Sequence, residues 1–246
     1  MLKEVKLYGK KITIRFDDER HIFYDEKGNQ LISVTGATGV IDKSAALMGW
    51  AAKMMGAYLV ENWDLKAIKT EEAKLNLIET AKREYRRIKI AEADVGKAIH
   101  EWVSDWIKGR KPEMPLDEKV VNGITAFLKF QKEHKIKWIE SERVVYSKKH
   151  GFAGILDAVG KMRKDLVLFD FKSGNAIYPE MRFQVAGYQI AYEEETGRRF
   201  DRKMLIRFGK DNGEFESFDL GKDGKDKEVF LACLKIKERL KEIENN

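Results

Sequence analysis

The order of patterns in this 246-residue sequence predicts an α/β (α+β) protein. A mixed central sheet flanked by helices is expected to follow an N-terminal β-meander and a helical region. Three observations carry this. Apolar residues alternate with period two from Val5 to Phe16. Segments of helical period fill most of residues 44–134. From residue 117 to residue 208 the chain reads helix, three strands, helix, strand.

The elements follow in order. Val5-x-Leu7 and Ile12-x-Ile14-x-Phe16, with turns at Gly9-Lys10 and Lys27-Gly28-Asn29, predict a meander over residues 3–34. Ser44–Trp63 is a helical segment rich in Ala and Met; Met54, Met55, Tyr58 and Leu59 suit packing against other helices. Thr70–Ala93 opens with the capping segment Thr70-Glu71-Glu72 and carries Lys82, Arg83, Arg86, Arg87 and Lys89. Such a basic helix is either a solvated face or a track for phosphates. A separate helix over Asp94–Lys108 presents the stripe Val95, Ile99, Trp102, Val103, Trp106, with His100 at its edge. Asp117–His134 is helical and Lys137–Ser147 is a strand. In that strand Glu142, Val144 and Tyr146 share one face by alternation. A helix over Pro179–Glu195 puts Gln184, Tyr188 and Tyr192 on one side. Lys203–Phe208 and Glu214–Leu220 form a closing hairpin, and a last helix covers Lys225–Glu244. Residues 1–93 form the meander and helical region and residues 94–246 the core, joined as one compact unit.

Composition narrows the function. Charged residues make up 36% and aromatics 11%, as a chain with a real core requires. The net charge of +6 modestly favours phosphate backbones as partners. The single cysteine, Cys233, excludes a disulfide framework or a Cys-rich metal site within one chain. The start MLKEVKLYGKK lacks the apolar core of a signal peptide. The least polar run, Ser44 to Val60, holds Lys53 and two glycines and falls short of a membrane span. A cytoplasmic protein without a membrane partner is expected.

The chemistry concentrates between Gly151 and Lys172, GFAGILDAVGKMRKDLVLFDFK. Two apolar strands meet at a charged turn. The first holds Asp157 in an apolar run; the second ends in Asp170-Phe171-Lys172. Period two puts Asp170 and Lys172 on one face and Phe171 on the other, and an antiparallel hairpin brings Asp157 beside them. Two carboxylates and an ammonium then converge where desolvation makes unpaired charge costly. A surface ion pair at a strand end would account for Asp170 and Lys172 and leave Asp157 unexplained; a divalent cation would satisfy both carboxylates.

Gly154-Ile155-Leu156-Asp157, Asp170-Phe171-Lys172-Ser173-Gly174 and Gln184-x-x-x-Tyr188 together resemble the PD-(D/E)XK nuclease superfamily. The likeness is greatest to the branch of RecB-type nuclease domains, phage-type recombination exonucleases and mitochondrial genome maintenance exonucleases. His100 in Gly96-Lys97-Ala98-Ile99-His100 resembles that branch's upstream histidine, and Leu156 stands where the name-giving proline would be. The resemblance spans residues 96–208 and implies a restriction-endonuclease-like core. It implies an Mg²⁺- or Mn²⁺-dependent DNA exonuclease of recombination, repair or processing, using one or two ions. Asp157, Asp170 and Lys172 would be catalytic. His100, Asp157, Asp170 and the Phe171 carbonyl would be metal ligands, and Gln184, Tyr188 and Ser173 would meet the substrate. Glu142 is a further acidic candidate, or a strand-surface glutamate. Some relatives hold an iron–sulfur cluster on four cysteines; this chain has one. DNA, single-stranded or with a free end, is the implied partner, along with a single-strand annealing or recombination protein. The alternatives are a non-catalytic nucleic-acid-binding protein on the same fold and a sequence-specific endonuclease.

Overall fold

The computed structural model describes residues 2–64, 66–222 and 224–244. Contacts divide the chain into two units: residues 1–41 with 98–246, and residues 42–97. The N-terminal meander therefore groups with the main sheet rather than with the helical region, which differs from a cut at residue 93.

In the first unit, β1 (Leu2–Leu7), β2 (Ile12–Asp17) and β3 (Ile22–Tyr24) form the expected antiparallel meander. Its inward residues Leu7, Ile14, Phe16 and Phe23 are buried together with Ala153, and Val144, Tyr146 and Ile155 pack against them. The main sheet is mixed. Its strands are β4 (Ile32–Ser33), β5 (Lys137–Ser147), β6 (Phe152–Met162), β7 (Asp165–Lys172), β8 (Arg202–Phe208) and β9 (Phe215–Asp219). The order is β4-β6-β7-β8-β9, with β5 alongside β6. β4 runs parallel to β6, and β7 parallel to β8; the other pairs are antiparallel. One edge of β6 changes neighbour along its length, with β4 beside Phe152 and Ala153 and β7 beside Ala158 to Met162. Gly154 to Asp157 lie at that change.

Helices cover both faces of the sheet. α1 (Val34–Thr38), which the sequence reading did not foresee, is capped by the Ser33 hydroxyl accepting from the Gly36 amide. A one-turn helix carries too few residues to show a period. In the second unit, α2 (Ser44–Asn62) buries no residue completely, so its Met and Leu positions are half-buried or exposed rather than core. α3 (Glu71–Ile107) is continuous, where two helices parted at residues 93/94 are expected from the sequence. No proline interrupts it, and a lone Gly96 costs a helix only about 1 kcal/mol. In its last turns Ile99, Trp102 and Val103 are buried, while Trp106 is 38% exposed and stacks on Trp102. α4 (Glu118–His134) starts at Asp117, whose carboxylate accepts from the Val120 amide. It lays Phe127 and Phe130 on an aromatic layer with Trp138, Phe169, Phe171 and Phe208.

The opposite face receives α5 (Pro179–Thr196) and α6 (Lys225–Glu244). Pro179 suits a first turn, and Gly197 closes the helix in the left-handed region at φ 68°. β7, α5 and β8 form a crossover joining parallel strands. α6 buries Phe230, Cys233 and Leu234 but leaves Val229, Ile236 and Leu240 partly exposed.

α5 and α6 meet closely at Gly187. A Cβ there would lie 2.6 Å from the Phe230 ring, which is fully buried. Gly187→Ala gains about 1 kcal/mol of helix propensity and loses about 1–3 kcal/mol to overpacking. A net destabilisation of up to about 2 kcal/mol is expected, read as a lower denaturant midpoint at unchanged m-value.

Candidate metal centre and active site

β6 and β7 bring the carboxylates together. Their ladder ends at Ala158 with Phe169, so Asp157 and Asp170 fall one step further along the same register. Asp157 Oδ2 accepts a 2.6 Å hydrogen bond from the Phe171 amide. Phe171 thus touches the site through its N–H, while its ring turns into the aromatic layer. Asp170 and Lys172 share the other face and form an ion pair of 2.5 Å. Lys172 Nζ also donates to Gln184 Oε1 at 3.3 Å, and Gln184 Nε2 donates to the Tyr188 hydroxyl at 2.9 Å. One turn of α5 separates Gln184 from Tyr188, which makes this chain of contacts possible. Ser173 follows Lys172, half-buried at the strand's end.

α3 supplies His100, whose Nδ1 lies 3.7 Å from Asp157 Oδ1 and 3.9 Å from Glu142 Oε1. Donor atoms of His100, Glu142 and Asp157 all lie within 4.8 Å of one another. Glu142 reaches this group through an unusual backbone. It has φ 49° in the middle of β5, the left-handed region that non-glycine residues rarely enter. Both neighbours are anchored: Ser141 Oγ donates to the Asp157 carbonyl, and Arg143 pairs with Glu140 and Glu195 and stacks on Tyr192. The sequence held a signal for this. The short turn at residues 148–151 sets Ser147 opposite Phe152, and counting back places Glu142 opposite Asp157.

Burial dominates the electrostatics. It raises the Asp157 carboxyl; Glu142 adds to that, while His100 and Lys172 oppose it. Burial and the charge of Asp157 push Asp170 up to about 6 against the pull of Lys172. Burial disfavours the charged Lys172, yet Asp170 and Asp157 outweigh it and hold the ammonium protonated. His100 behaves alike: burial opposes its charge, and Asp157 and Glu142 raise it. Burial first, then the two aspartates, lifts the Tyr188 phenol well above its ordinary value.

The residues fit a hard cation. Three donors, two carboxylates and an imidazole, already converge. The buried Asp170 Oδ1 has no hydrogen-bond partner, although such an atom normally finds one. Oxygen donors suit Mg²⁺, and one imidazole nitrogen suits Mn²⁺ as well. Asp170 lies outside the three-donor group and is engaged by Lys172.

A pH test follows. A carboxyl raised on folding contributes stability that is complete below its ordinary value of 3.8 and lost as pH climbs through about 6. Asp170→Asn removes that loss. In EDTA, the stability of the variant relative to the unmodified protein is expected to rise between pH 4 and pH 7, by about 3 kcal/mol at most. Chemical denaturation across that range reads it.

In the second unit the basic stretch of α3 is partly self-neutralised. Lys82 pairs with Glu79 at 2.6 Å, Arg87 pairs with Glu84 at 2.5 Å, and Arg86 lies against Tyr85. No described helix is long and apolar enough to cross a membrane.

No protein-family model matches this sequence, and no curated protein matches it. Among solved structures, an alkaline exonuclease (LHK-Exo) from Laribacter hongkongensis is similar at 16% identity. It covers 54% of this chain and 76% of its own length, with a TM-score of 0.33. Its complex with dAMP covers 61% and 84%, at 16% identity and a TM-score of 0.33. A protein of Eubacterium rectale provisionally described as an exonuclease shows 9% identity, 58% and 64% coverage and a TM-score of 0.40. SSO0001 shows 10% identity and a TM-score of 0.32; 48% of this chain spans 57% of that one. The chain is thus similar, at low identity, to structures that include exonucleases, and its mixed α/β architecture stands on its own strand pairing.

Proposed function

We propose that this protein is a divalent-metal-dependent deoxyribonuclease of the PD-(D/E)XK type, acting as an exonuclease in DNA recombination, repair or processing. The observation that carries the reading is one locus that brings half-buried His100 and Asp157 and the more exposed Glu142 beside the Asp170–Lys172 pair. An Mg²⁺ or Mn²⁺ ion bound there would lower the pKa of a bound water and offset the charge growing on the phosphate. His100, Asp157 and Glu142 would hold it, with the free oxygen of Asp170 and the Phe171 carbonyl as further donors.

Lys172 has a distinct task. Its raised pKa keeps it a donor at neutral pH, so it orients the attacking water and faces the developing negative charge instead of removing a proton. Gln184 fixes the ammonium, and Tyr188 fixes Gln184. Ser173, next to Lys172, would meet the strand. DNA with a free end is the substrate class, and the pattern of His100 with Gln184-x-x-x-Tyr188 favours exonuclease over endonuclease. A single-strand annealing or recombination protein is the partner this reading suggests.

End-labelled single- and double-stranded oligonucleotides, with a closed circle as control, test it. Stepwise shortening of the linear DNA with Mg²⁺ or Mn²⁺, none in EDTA and none on the circle is expected. Turnover in excess EDTA would sink the metal-dependent reading, and cutting of the circle would replace exonuclease with endonuclease.

A further inference from the structure

We propose that a cleft beside the candidate active site binds a nucleobase, that of the nucleotide adjoining the scissile phosphate. This rests on the nuclease reading and adds a substrate subsite to it. The cleft has a volume of about 520 Å³, between the start of α5 and the β8–β9 edge. Pockets of this size take small organic groups, and most such sites are largely apolar with a few polar groups.

Three features select a base. First, two exposed aromatics, Tyr178 at 49% and Phe218 at 40%, line the cleft. An aromatic ring beside an open cleft offers a stacking platform, which suits any base because every base has a π-face. Second, a polar group borders the apolar lining. The Arg182 guanidinium is there, fixed by Asp226 and by the Leu220 carbonyl. Third, the cleft lies one strand away from the candidate active site. Its lining includes Leu205, the register partner of Asp170 on the neighbouring strand. Neighbouring strands lie about 5 Å apart. α5 also serves both places: Tyr178, just ahead of it, and Arg182 line the cleft, while Gln184 accepts from Lys172 and donates to Tyr188. A strand whose phosphate sits at Asp170 therefore has a base within reach of the cleft.

The test is binding in EDTA, where no cleavage is expected. Fluorescence anisotropy is measured on a single-stranded oligonucleotide and on a set in which one position at a time is abasic. For the unmodified protein, affinity should fall about tenfold at one position. Tyr178→Ala and Phe218→Ala should each weaken binding of the full oligonucleotide by a comparable factor. They should lose little or nothing more on the oligonucleotide abasic at that position, because the platform and the base are then the same interaction. Phe218→Trp and Tyr178→Phe should retain affinity, and thermal midpoints establish that the alanine variants fold. A flat abasic scan overturns the proposal. So does equal binding by the variants, or a variant loss that simply adds to the abasic loss. Failure of the nuclease reading looks different: no digestion with any metal, while the abasic position and the aromatic variants still coincide, which supports the base site alone. Digestion with a flat abasic scan removes the base site alone.

Discussion

Asp157→Asn is expected to abolish metal-dependent cleavage while leaving the protein folded. Asparagine keeps the shape and an acceptor for the Phe171 amide, so the local hydrogen bond has a substitute. What it removes is the charge that a cation needs beside His100 and Glu142. Metal stabilisation of a phosphoryl transition state amounts to several kcal/mol, and each 1.36 kcal/mol is a factor of ten. Single-turnover rates should therefore fall by at least about a thousandfold. Mn²⁺ affinity measured by calorimetry should fall with them, while the circular dichroism spectrum stays the same. Lys172→Met should produce a comparable rate loss with Mn²⁺ binding retained, since the ammonium repels the cation rather than holding it. Should both variants lose rate and metal together, Lys172 acts through the site's architecture and not on the water. Near-normal cleavage by Asp157→Asn would remove the proposed centre altogether.

Phe127→Ala should give the largest stability loss. Phe127 is fully buried, with ring centroids 5.7 Å from Trp138, 6.1 Å from Phe171 and 5.9 Å from Phe208. Emptying such a position costs about 3–5 kcal/mol, a large share of the 5–15 kcal/mol that folded domains have in hand. For a chain of this length that is a fall of roughly 6–20 °C in the midpoint of calorimetric unfolding. Phe171 links the loss to the site, because its ring lies in this layer and its amide holds Asp157. At temperatures where the variant remains folded, its cleavage rate should fall far less than in Asp157→Asn. A midpoint within about 2 °C of the unmodified protein would show that the aromatic layer is not where stability resides.

Much of the core was legible because its signals are local. The hairpin from Phe152 to Lys172, the strand Lys137–Ser147 and the helix Lys225–Glu244 follow from alternation, helical period and turn residues, and the structure has them there. The proximity of Asp157, Asp170 and Lys172 followed from the same reasoning, since a hairpin fixes which side chains are neighbours. What escaped depends on partners far away in sequence or on single backbone angles. β4 is two residues long and exists because β6 offers it an edge. The left-handed angle at Glu142 has no signature in the residue pattern, and His100 reaches that residue from a helix far earlier in the chain, so their approach was not evident. The break expected in α3 had no proline behind it, and propensity alone could not end the helix.

Because the edge of β6 passes from β4 to β7 at residues 154–157, the opening chain segment acts as scaffolding for the chemistry. β4 and the meander pack against β6 just ahead of Asp157, and the Tyr8 hydroxyl ties them to Glu194 at the far end of α5. A fragment begun after residue 41 would keep every proposed ligand and yet lose the brace that sets how one of them leans. For a shortened version of this protein, the first forty residues are expected to matter to the proposed centre as well as to folding.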